Sequence, residues 1–467
     1  MITALDSKAM DANSEALGVS VETLMSRAGQ AIAETLKTRY MGKKIAFVCG
    51  KGNNGGDGFA AANLLPRTDV TVLLLSPSSE IRSQEAQNQF SKLTCPVNKF
   101  IGTDLSQFDV VVDCALGTGV TGMLREPYST YVDIVNDFPG DIISVDIPSG
   151  LGSDKTVVPT LTITLHDIKE GMNPENSGEI IIKDIGIPAE AFTKVGPGDM
   201  LRYPVPLKTS HKGCNGSLLI IGGGPYFGAP AMAAMAAMRV GTDLVRIATP
   251  TYSYASISSY SPVFVMEELK GDVLGPSHVK KLLELAEISN AVLIGPGLGL
   301  DKISAEAVKD FVKECKKPMV IDADGLNALG KNFNSNGTPV ILTPHSREFL
   351  RLGGTISSEP KTHVRIKATE TGSVILLKGP SDIISDGDKV RINETGTPAM
   401  TSAGTGDVLS GIVAGLLAKG MSAFDAACLG AYISGKAGEY AFKKRSYGLI
   451  ATDVIDKIPT VLAKGLR

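Results

Sequence analysis

The sequence predicts an α/β protein of two domains, each a largely parallel sheet covered by helices on both faces. Three observations predict it. At 467 residues the chain is too long for one ordinary core. Short, continuously apolar runs ending in Gly, Asp, Pro or Ser alternate with helix-like stretches, as strands buried on both faces do. The alternation stops in the Gly- and Pro-rich segment 195–213, which lacks helical periodicity and reads as a linker, and then resumes. A boundary at 205 gives domains 1–205 and 206–467.

Composition narrows the function classes. Hydrophobic residues make up 43% and charged residues 20%, as in globular proteins generally. A net charge of −3 provides no field for nucleic acid or an anionic membrane, so neither partner is expected. Local phosphate binding stays open, because backbone amides supply it without basic residues. Six cysteines without a C-x-x-C spacing read as reduced, mostly buried residues of a cytoplasmic protein. The first residues show no basic-then-apolar leader, and the most apolar stretches, near 228–240 and 408–418, are too short to span a bilayer.

In the first domain a helix-rich stretch, 5–38, precedes apolar runs at 44–50, 70–75, 109–117 and 141–150, with a helical pattern at 80–93 between them. Three of these runs end in chemistry-bearing loops. Gly50-Lys51-Gly52-Asn53-Asn54-Gly55-Gly56-Asp57-Gly58 follows the first strand and opens a helical run. In open α/β sheets that is where ligands bind. No Lys-Ser or Lys-Thr ends the loop, so it is not a P-loop, and the two central Asn fit a dinucleotide fingerprint poorly. Their carbonyl oxygens and the Asp57 carboxylate suit a cation or a ribose. Asp113 precedes a second glycine loop, and Asp146-Ile147-Pro148-Ser149-Gly150 ends the fourth strand. Taken singly, Asp113 and Asp146 are ordinary turn or helix caps. Taken together, Asn54, Asp113 and Ser149 are expected to converge on one hard, oxygen-coordinated cation, leaving Asp146 free to act as a base.

With NNGGDG, D-x-A-L-G-T-G and D-I-P-S-G in that order, residues 1–205 resemble the NAD(P)H-hydrate epimerases. The resemblance implies a Rossmann-like three-layer domain that binds a hydrated nicotinamide nucleotide and a potassium ion. It implies Asn54, Asp113 and Ser149 as potassium ligands. Substrate contacts would come from Asn53, Asn54, Gly55, Gly56 and Asp57, and from Gly117, Thr118, Gly119, Val120, Thr121, Gly122 and Met123. Asp146 would touch substrate and handle the proton as the R and S hydrates interconvert. One departure stands out: 157–165 lacks the acids usual after the fourth strand, and Thr160, Thr162 and Thr164 read as strand positions without chemistry.

The second domain repeats the strand-to-glycine pattern at 216–224, 243–250, 291–299, 318–325, 339–345 and 373–382. Gly404-Thr405-Gly406-Asp407 leads into an apolar helix, and a small-residue loop there offers open amides and a positive dipole end to phosphate. Asp407 would stand beside the transferring phosphate and accept a proton from an attacking hydroxyl. Asp322 and Asp324 either lie near magnesium or cap a helix. His345 sits at a strand end among the other ligand loops. Met232, Met235 and Met238 mark a helix face packed against the sheet.

H-K-G (211–213), G-P-G-L-G, D-A-D-G-L-N, T-P-H-x-x-E, K-G and G-T-G-D occur in the order seen in ADP/ATP-dependent NAD(P)H-hydrate dehydratases, which residues 209–467 resemble. A ribokinase-like domain is implied, which phosphorylates the hydrate hydroxyl from ADP with Mg²⁺ and then eliminates phosphate. By position Ala229, Gly297, His345 and Asp407 would meet the hydrate. Lys378, Gly379, Pro380, Ser381, Asp382 and Gly406 would meet the adenine nucleotide. Arg347 stands where glycine is usual, and Thr397 replaces the Asn before Pro398. The joined reading is a bifunctional repair enzyme acting on NADH and NADPH hydrates, and the resemblance implies a homo-oligomer. Two alternatives stay open: a vitamin-precursor kinase sharing the G-x-G-D end, and a non-catalytic nucleotide-binding first domain.

Overall fold

The computed structural model describes residues 1–466. The chain forms two compact units, Met1–Ala191 and Phe192 onward. The first contains seven strands: β1 Ile45–Cys49, β2 Val70–Leu74, β3 Val97–Lys99, β4 Val110–Cys114, β5 Asp141–Val145, β6 Leu161–Leu165 and β7 Glu179–Lys183. Their order is β3-β2-β1-β4-β5-β6-β7, parallel throughout, which is a doubly wound Rossmann-like sheet. The order in which strands are added reverses between β1 and β4, so the loops after these two strands flank one crevice.

Side chains alternate across this sheet, and each face has its own core. Phe47, Val112 and Ile143 pack on one side with Ile32, Leu36 and Phe59; Val48, Val111 and Ile142 pack on the other with Tyr131 and Phe100. The strands were readable because both faces are apolar. Neither edge strand was foreseen: β3 is exposed and carries no such run, and β7 is half-exposed with only three apolar residues, Ile180 to Ile182.

The second unit has nine strands: β8 Ser217–Ile221, β9 Leu244–Pro250, β10 Val265–Leu269, β11 Ala291–Ile294, β12 Met319–Ile321, β13 Val340–Leu342, β14 Val374–Leu377, β15 Asp382–Ser385 and β16 Val390–Asn393. The order is β10-β9-β8-β11-β12-β13-β14-β15-β16, with only the β14-β15-β16 end antiparallel. The switch point lies between β8 and β11. Helix Thr405–Ala418 packs on helix Gly228–Arg239 along a seam of small residues. A Cβ on Gly411 would strike the Ala233 backbone, and one on Gly415 would reach Ala237. The alanines of AMAAMAAM are fully buried in that seam while Met232, Met235 and Met238 are only partly buried. Alanine, then, forms the packed face and methionine its margin, because only small side chains let the two helices approach so closely.

The segment expected to be a linker is partly built into the second unit. Val195 N–H donates to the Ile392 carbonyl at 2.8 Å, and residues Pro197–Arg202 form a short 3-10 helix. Asp199, 1% exposed, receives Arg391 at 2.9 Å. Partnering with β16 thus pulls this stretch out of linker character, and the compact unit begins at 192 rather than 206. Removing one partner of a buried ion pair strands the other charge. Arg391→Ala is expected to cost the second unit about 3 kcal/mol in urea denaturation, with the first unit's transition unmoved.

Two candidate active sites

In the first unit the helix Asn53–Ala62 begins within the NNGGDG motif, not after it. The first-turn amides of Asn53, Asn54 and Gly55 are therefore the open donors at its N-terminus. Gly55 is required by contact: a Cβ there would collide with the Gly50 carbonyl oxygen. Asn54 Nδ2 donates to the Leu116 carbonyl at 2.9 Å, while its Oδ1 is buried without a hydrogen-bond partner.

Asp113, at the end of β4, is fully buried. Oδ1 accepts from the Tyr131 hydroxyl at 2.6 Å and the Ser149 hydroxyl at 2.5 Å; Oδ2 accepts from Ser144 Oγ at 2.8 Å and Ser149 N–H at 2.9 Å. Ser149 Oγ in turn accepts from the Leu116 amide at 2.8 Å. Asn54, Asp113 and Ser149 thus meet around Leu116. Among their side-chain oxygens only Asn54 Oδ1 is buried with lone pairs unclaimed.

A cavity of about 500 Å³ opens beside this cluster, lined by Asn53, Asn54, Asp57, Gly117, Thr118, Gly119, Val120 and Asp146 among others. Gly55 and Gly56 lie behind it, Gly56 against Met25 and Ala86. Thr121, Gly122 and Met123 fall outside the lining; Gly122 bridges to Ser153, and Met123 is 83% exposed. Asp146 has a φ of 67°, a left-handed conformation uncommon outside glycine and one that aspartate adopts more readily than most residues. Its carboxylate is ion-paired with Lys169, whose side chain is 3% exposed.

Four participants were not foreseen. Lys169 also donates to the Leu165 carbonyl at 2.6 Å and to Thr164 Oγ1 at 3.2 Å. Thr164 donates to the Asp146 carbonyl at 2.9 Å, so it secures the site rather than simply filling the strand. Asp11, from helix Ala4–Ala16, lines the cavity; burial and then the Asp146 charge push its carboxyl up to about 6. Burial, Asp146 and Asp11 together push Asp57 well above the usual carboxylate range. Tyr131 is the fourth, reaching Asp113 from the helix Tyr128–Asn136. No local pattern marks these residues, because strands β4 to β6 bring them together only in the fold.

In the second unit, Gly404 caps the helix Thr405–Ala418 with a φ of 91°, a conformation that needs glycine. That turn lays the Thr405–Asp407 amides at the open helix end. Burial, followed by the Asp322 charge, pushes the Asp407 carboxyl up to about 7, and Lys378 opposes the shift. Lys378 pairs with buried Asp322 at 2.8 Å, and a Cβ on Gly406 would lie 3.6 Å from its Nζ. Burial works against the Lys378 ammonium, but Asp322, Glu348 and Asp407 outweigh it and hold its pKa above the ordinary value.

Around this centre Gly297 and Ala229 are neighbours across the switch point, 3.4 Å apart for a Cβ on Gly297. His345 caps the helix Ser346–Arg351, its Nδ1 accepting from the Arg347 and Glu348 amides at 3.1 and 3.2 Å. The ring proton is thereby fixed on Nε2, and Arg347 contributes only its backbone. Thr397 caps the 3-10 turn Pro398–Thr401 through its hydroxyl, as the expected Asn would through its side chain. Lys378 to Asp382 form the turn between β14 and β15. Gly379, Pro380 and Ser381 are exposed there, while Asp382 turns inward to Gly379 N–H and Asn393. Asp324 accepts from Gly299 N–H at 2.8 Å and opens a short helix, while Asp322 is held by Lys378.

Residues 218–460 match the family model described as NAD(P)H-hydrate dehydratase, and residues 21–171 match that of the YjeF-related protein N-terminus. The bifunctional NAD(P)H-hydrate repair enzyme Nnr of Methanothermobacter thermautotrophicus is 40% identical over 499 residues, covering 99% of this chain and 95% of that protein. That of Archaeoglobus fulgidus is 37% identical over 472 residues, covering 99% and 98%. The ADP/ATP-dependent NAD(P)H-hydrate dehydratase of Bacillus subtilis, co-crystallised with ATP/Mg²⁺, is similar at a TM-score of 0.52 and 28% identity, over 59% of this chain and 99% of that one. With carboxylates of displaced pKa beyond the strand ends of both units, the fold and the sites define a two-domain α/β enzyme. The chain belongs to the family of bifunctional NAD(P)H-hydrate repair enzymes, its first unit of the epimerase type and its second a ribokinase-like dehydratase. Among the described residues no helix is long and apolar enough to cross a membrane.

Tyr131→Phe deletes one donor from a carboxylate that has no access to water. The first unit is expected to lose about 1–3 kcal/mol in urea denaturation; an unchanged midpoint would show that Asp113 does not depend on this bond.

Proposed function

We propose that Asp407 is the base of an ADP-dependent dehydration and that Asp146 handles the proton of an epimerisation, so that one chain recovers both hydrates of NADH and NADPH. The observation that carries the reading is the setting of Asp407. It stands in the first turn of a helix whose open amides suit phosphate, with its carboxyl near neutrality. In its ionised form it takes the proton of the hydrate hydroxyl as that oxygen attacks the terminal phosphoryl of ADP. AMP leaves; phosphate then departs with the C–O electron pair while the adjacent ring carbon gives up a proton to solvent, and that C–H electron pair restores the nicotinamide double bond. Lys378 and Gly406 flank the transferring group, while Gly379, Pro380, Ser381 and Asp382 form the turn for the adenine nucleotide. Ala229, Gly297 and His345 receive the hydrate. Magnesium would be held largely by the nucleotide phosphates and would offset their charge; Asp322 and Asp324 are engaged by Lys378 and Gly299. The relative crystallised with ATP/Mg²⁺ supports a nucleotide and magnesium in this unit.

In the first unit Asn53, Asn54, Asp57, the loop from Gly117 to Val120 and Asp146 receive the nucleotide, with Gly55 and Gly56 shaping the turn. Potassium fits the cluster below, because Asn54 offers a buried, unclaimed carbonyl oxygen beside Asp113 and Ser149. The bound ion would supply positive charge for the nucleotide phosphates. We also place the protein in the cytoplasm as a homo-oligomer, the former supported by six free cysteines.

The test supplies mixed R and S hydrates of NADH with Mg²⁺ and either ADP or ATP, and follows NADH absorbance. Full recovery supports the reading; nucleotide consumption without NADH points to a small-molecule kinase. Asp407→Ala is expected to abolish dehydration and spare epimerisation, and Asp146→Ala to do the reverse; loss of both activities in either variant would sink the two-site assignment. Asp407 is protonated below its raised pKa, so dehydratase kcat/KM should rise with pH through about 7. Since Lys378 lowers that pKa, Lys378→Met should move this limb to higher pH.

A further inference from the structure

The epimerase chemistry needs two groups in opposite protonation states, and the first unit's cavity holds a cluster that supplies them. Hydrating an enamine places the hydroxyl on the ring carbon bonded to nitrogen, so the epimeric centre of the hydrate is a hemiaminal. Its configuration is lost once that C–O bond breaks, without removing any hydrogen from carbon.

Asp11, Asp57, Asp146 and Lys169 all line the cavity. They come from separate elements: helix Ala4–Ala16, helix Asn53–Ala62, the loop after β5 and the loop after β6. Lys169 is held at three points, by Asp146, Thr164 and the Leu165 carbonyl, and is withdrawn from solvent. The fixed ammonium braces the Asp146 carboxylate in one position at the cavity wall. Burial and then the Asp146 charge push the Asp11 and Asp57 carboxyls up, with Lys169 opposing. Asp11, near 6, releases and recovers a proton readily at neutral pH. A carboxyl raised by its surroundings, beside another braced by a buried lysine, offers the two roles of acid and base in one cavity.

Resting on the epimerase reading above, we propose that Asp11 is the general acid of epimerisation, opposite Asp146 as general base, and that Lys169 is the positioning residue for Asp146. The ring nitrogen lone pair forms C=N⁺ as the C–O bond breaks, and the departing hydroxide takes the Asp11 proton and leaves as water. A water on the other face gives its proton to Asp146 while its oxygen bonds to the carbon, and the C=N⁺ electrons return to nitrogen. The opposite epimer results. Asp146 ends protonated and Asp11 ionised, the arrangement that runs the reverse direction; solvent exchange restores the starting state. Water is consumed and released in equal amounts, and no oxidant or reductant is involved.

The test uses the full chain carrying Asp407→Ala, so that epimerisation is seen alone, with purified R hydrate of NADPH in H₂¹⁸O. Each enzymatic conversion is expected to place one ¹⁸O in the S hydrate, read by mass spectrometry after the epimers are separated. Asp11→Asn should lower kcat about 100-fold with KM within about threefold. Lys169→Met should lower kcat likewise, and Lys169→Arg should restore much of it, which a loss of fold would not allow. Conversion with the original oxygen retained identifies ring opening instead and overturns the proposal, as does Asp11→Asn with unchanged kcat; both leave the epimerase reading standing. A parent chain that does not interconvert the epimers removes the reading on which the proposal rests.

Discussion

Asp113 has no access to solvent, and its two oxygens accept from Tyr131, Ser144 and both the amide and hydroxyl of Ser149. A carboxylate in that position is tolerable only because every donor arrives with it. Supplying them requires β4, β5, the helix Tyr128–Asn136 and the loop after β5 to hold one register. Ser149 then passes the constraint on to Leu116 and, through its carbonyl, to Asn54. The two strand-end loops of the switch point are thus joined beneath the cavity, and the cavity's shape follows from satisfying one buried charge.

The second unit solves a similar problem with a cation. Asp322 is as deeply placed as Asp113, but Lys378 crosses from β14 to meet it. The lysine is stabilised by three acids at once, while burial, and then the Asp322 charge, pushes the Asp407 carboxyl up to about 7. Here the electrostatic frame and the reactive group are parts of one arrangement. In the first unit Asp113 is satisfied by neutral donors, and the charged groups lie apart in the cavity.

Much of this was legible in the sequence. Strands buried on both faces announce themselves as apolar runs, and the loops beside Asp113, Asp146 and Asp407 carry glycine that marks backbone crowding. Edge strands were not legible: Val97–Lys99 is exposed and Val265–Leu269 largely so, and neither needs an apolar pattern. Asp11 and Lys169 were missed for a different reason. Each looks like an ordinary polar residue among its neighbours in sequence, and its meaning depends on a cavity wall assembled from distant segments. Thr164 misled because its alternation is genuine. It sits where a strand residue should, yet its hydroxyl ties Asp146 to Lys169.

The backbone of Asp146 carries one more consequence. Left-handed φ is open to glycine and, among other residues, mainly to asparagine and aspartate. Glycine and asparagine can follow the bend but bring no carboxylate; glutamate keeps the carboxylate but suits the bend poorly. The position is therefore isolated in sequence space: most neighbouring codons lose either the path of the chain or the charge, and glutamate, though adjacent, strains the bend. Divergence in this unit has to proceed around that residue, through loops such as Thr121–Met123 that lie outside the cavity wall.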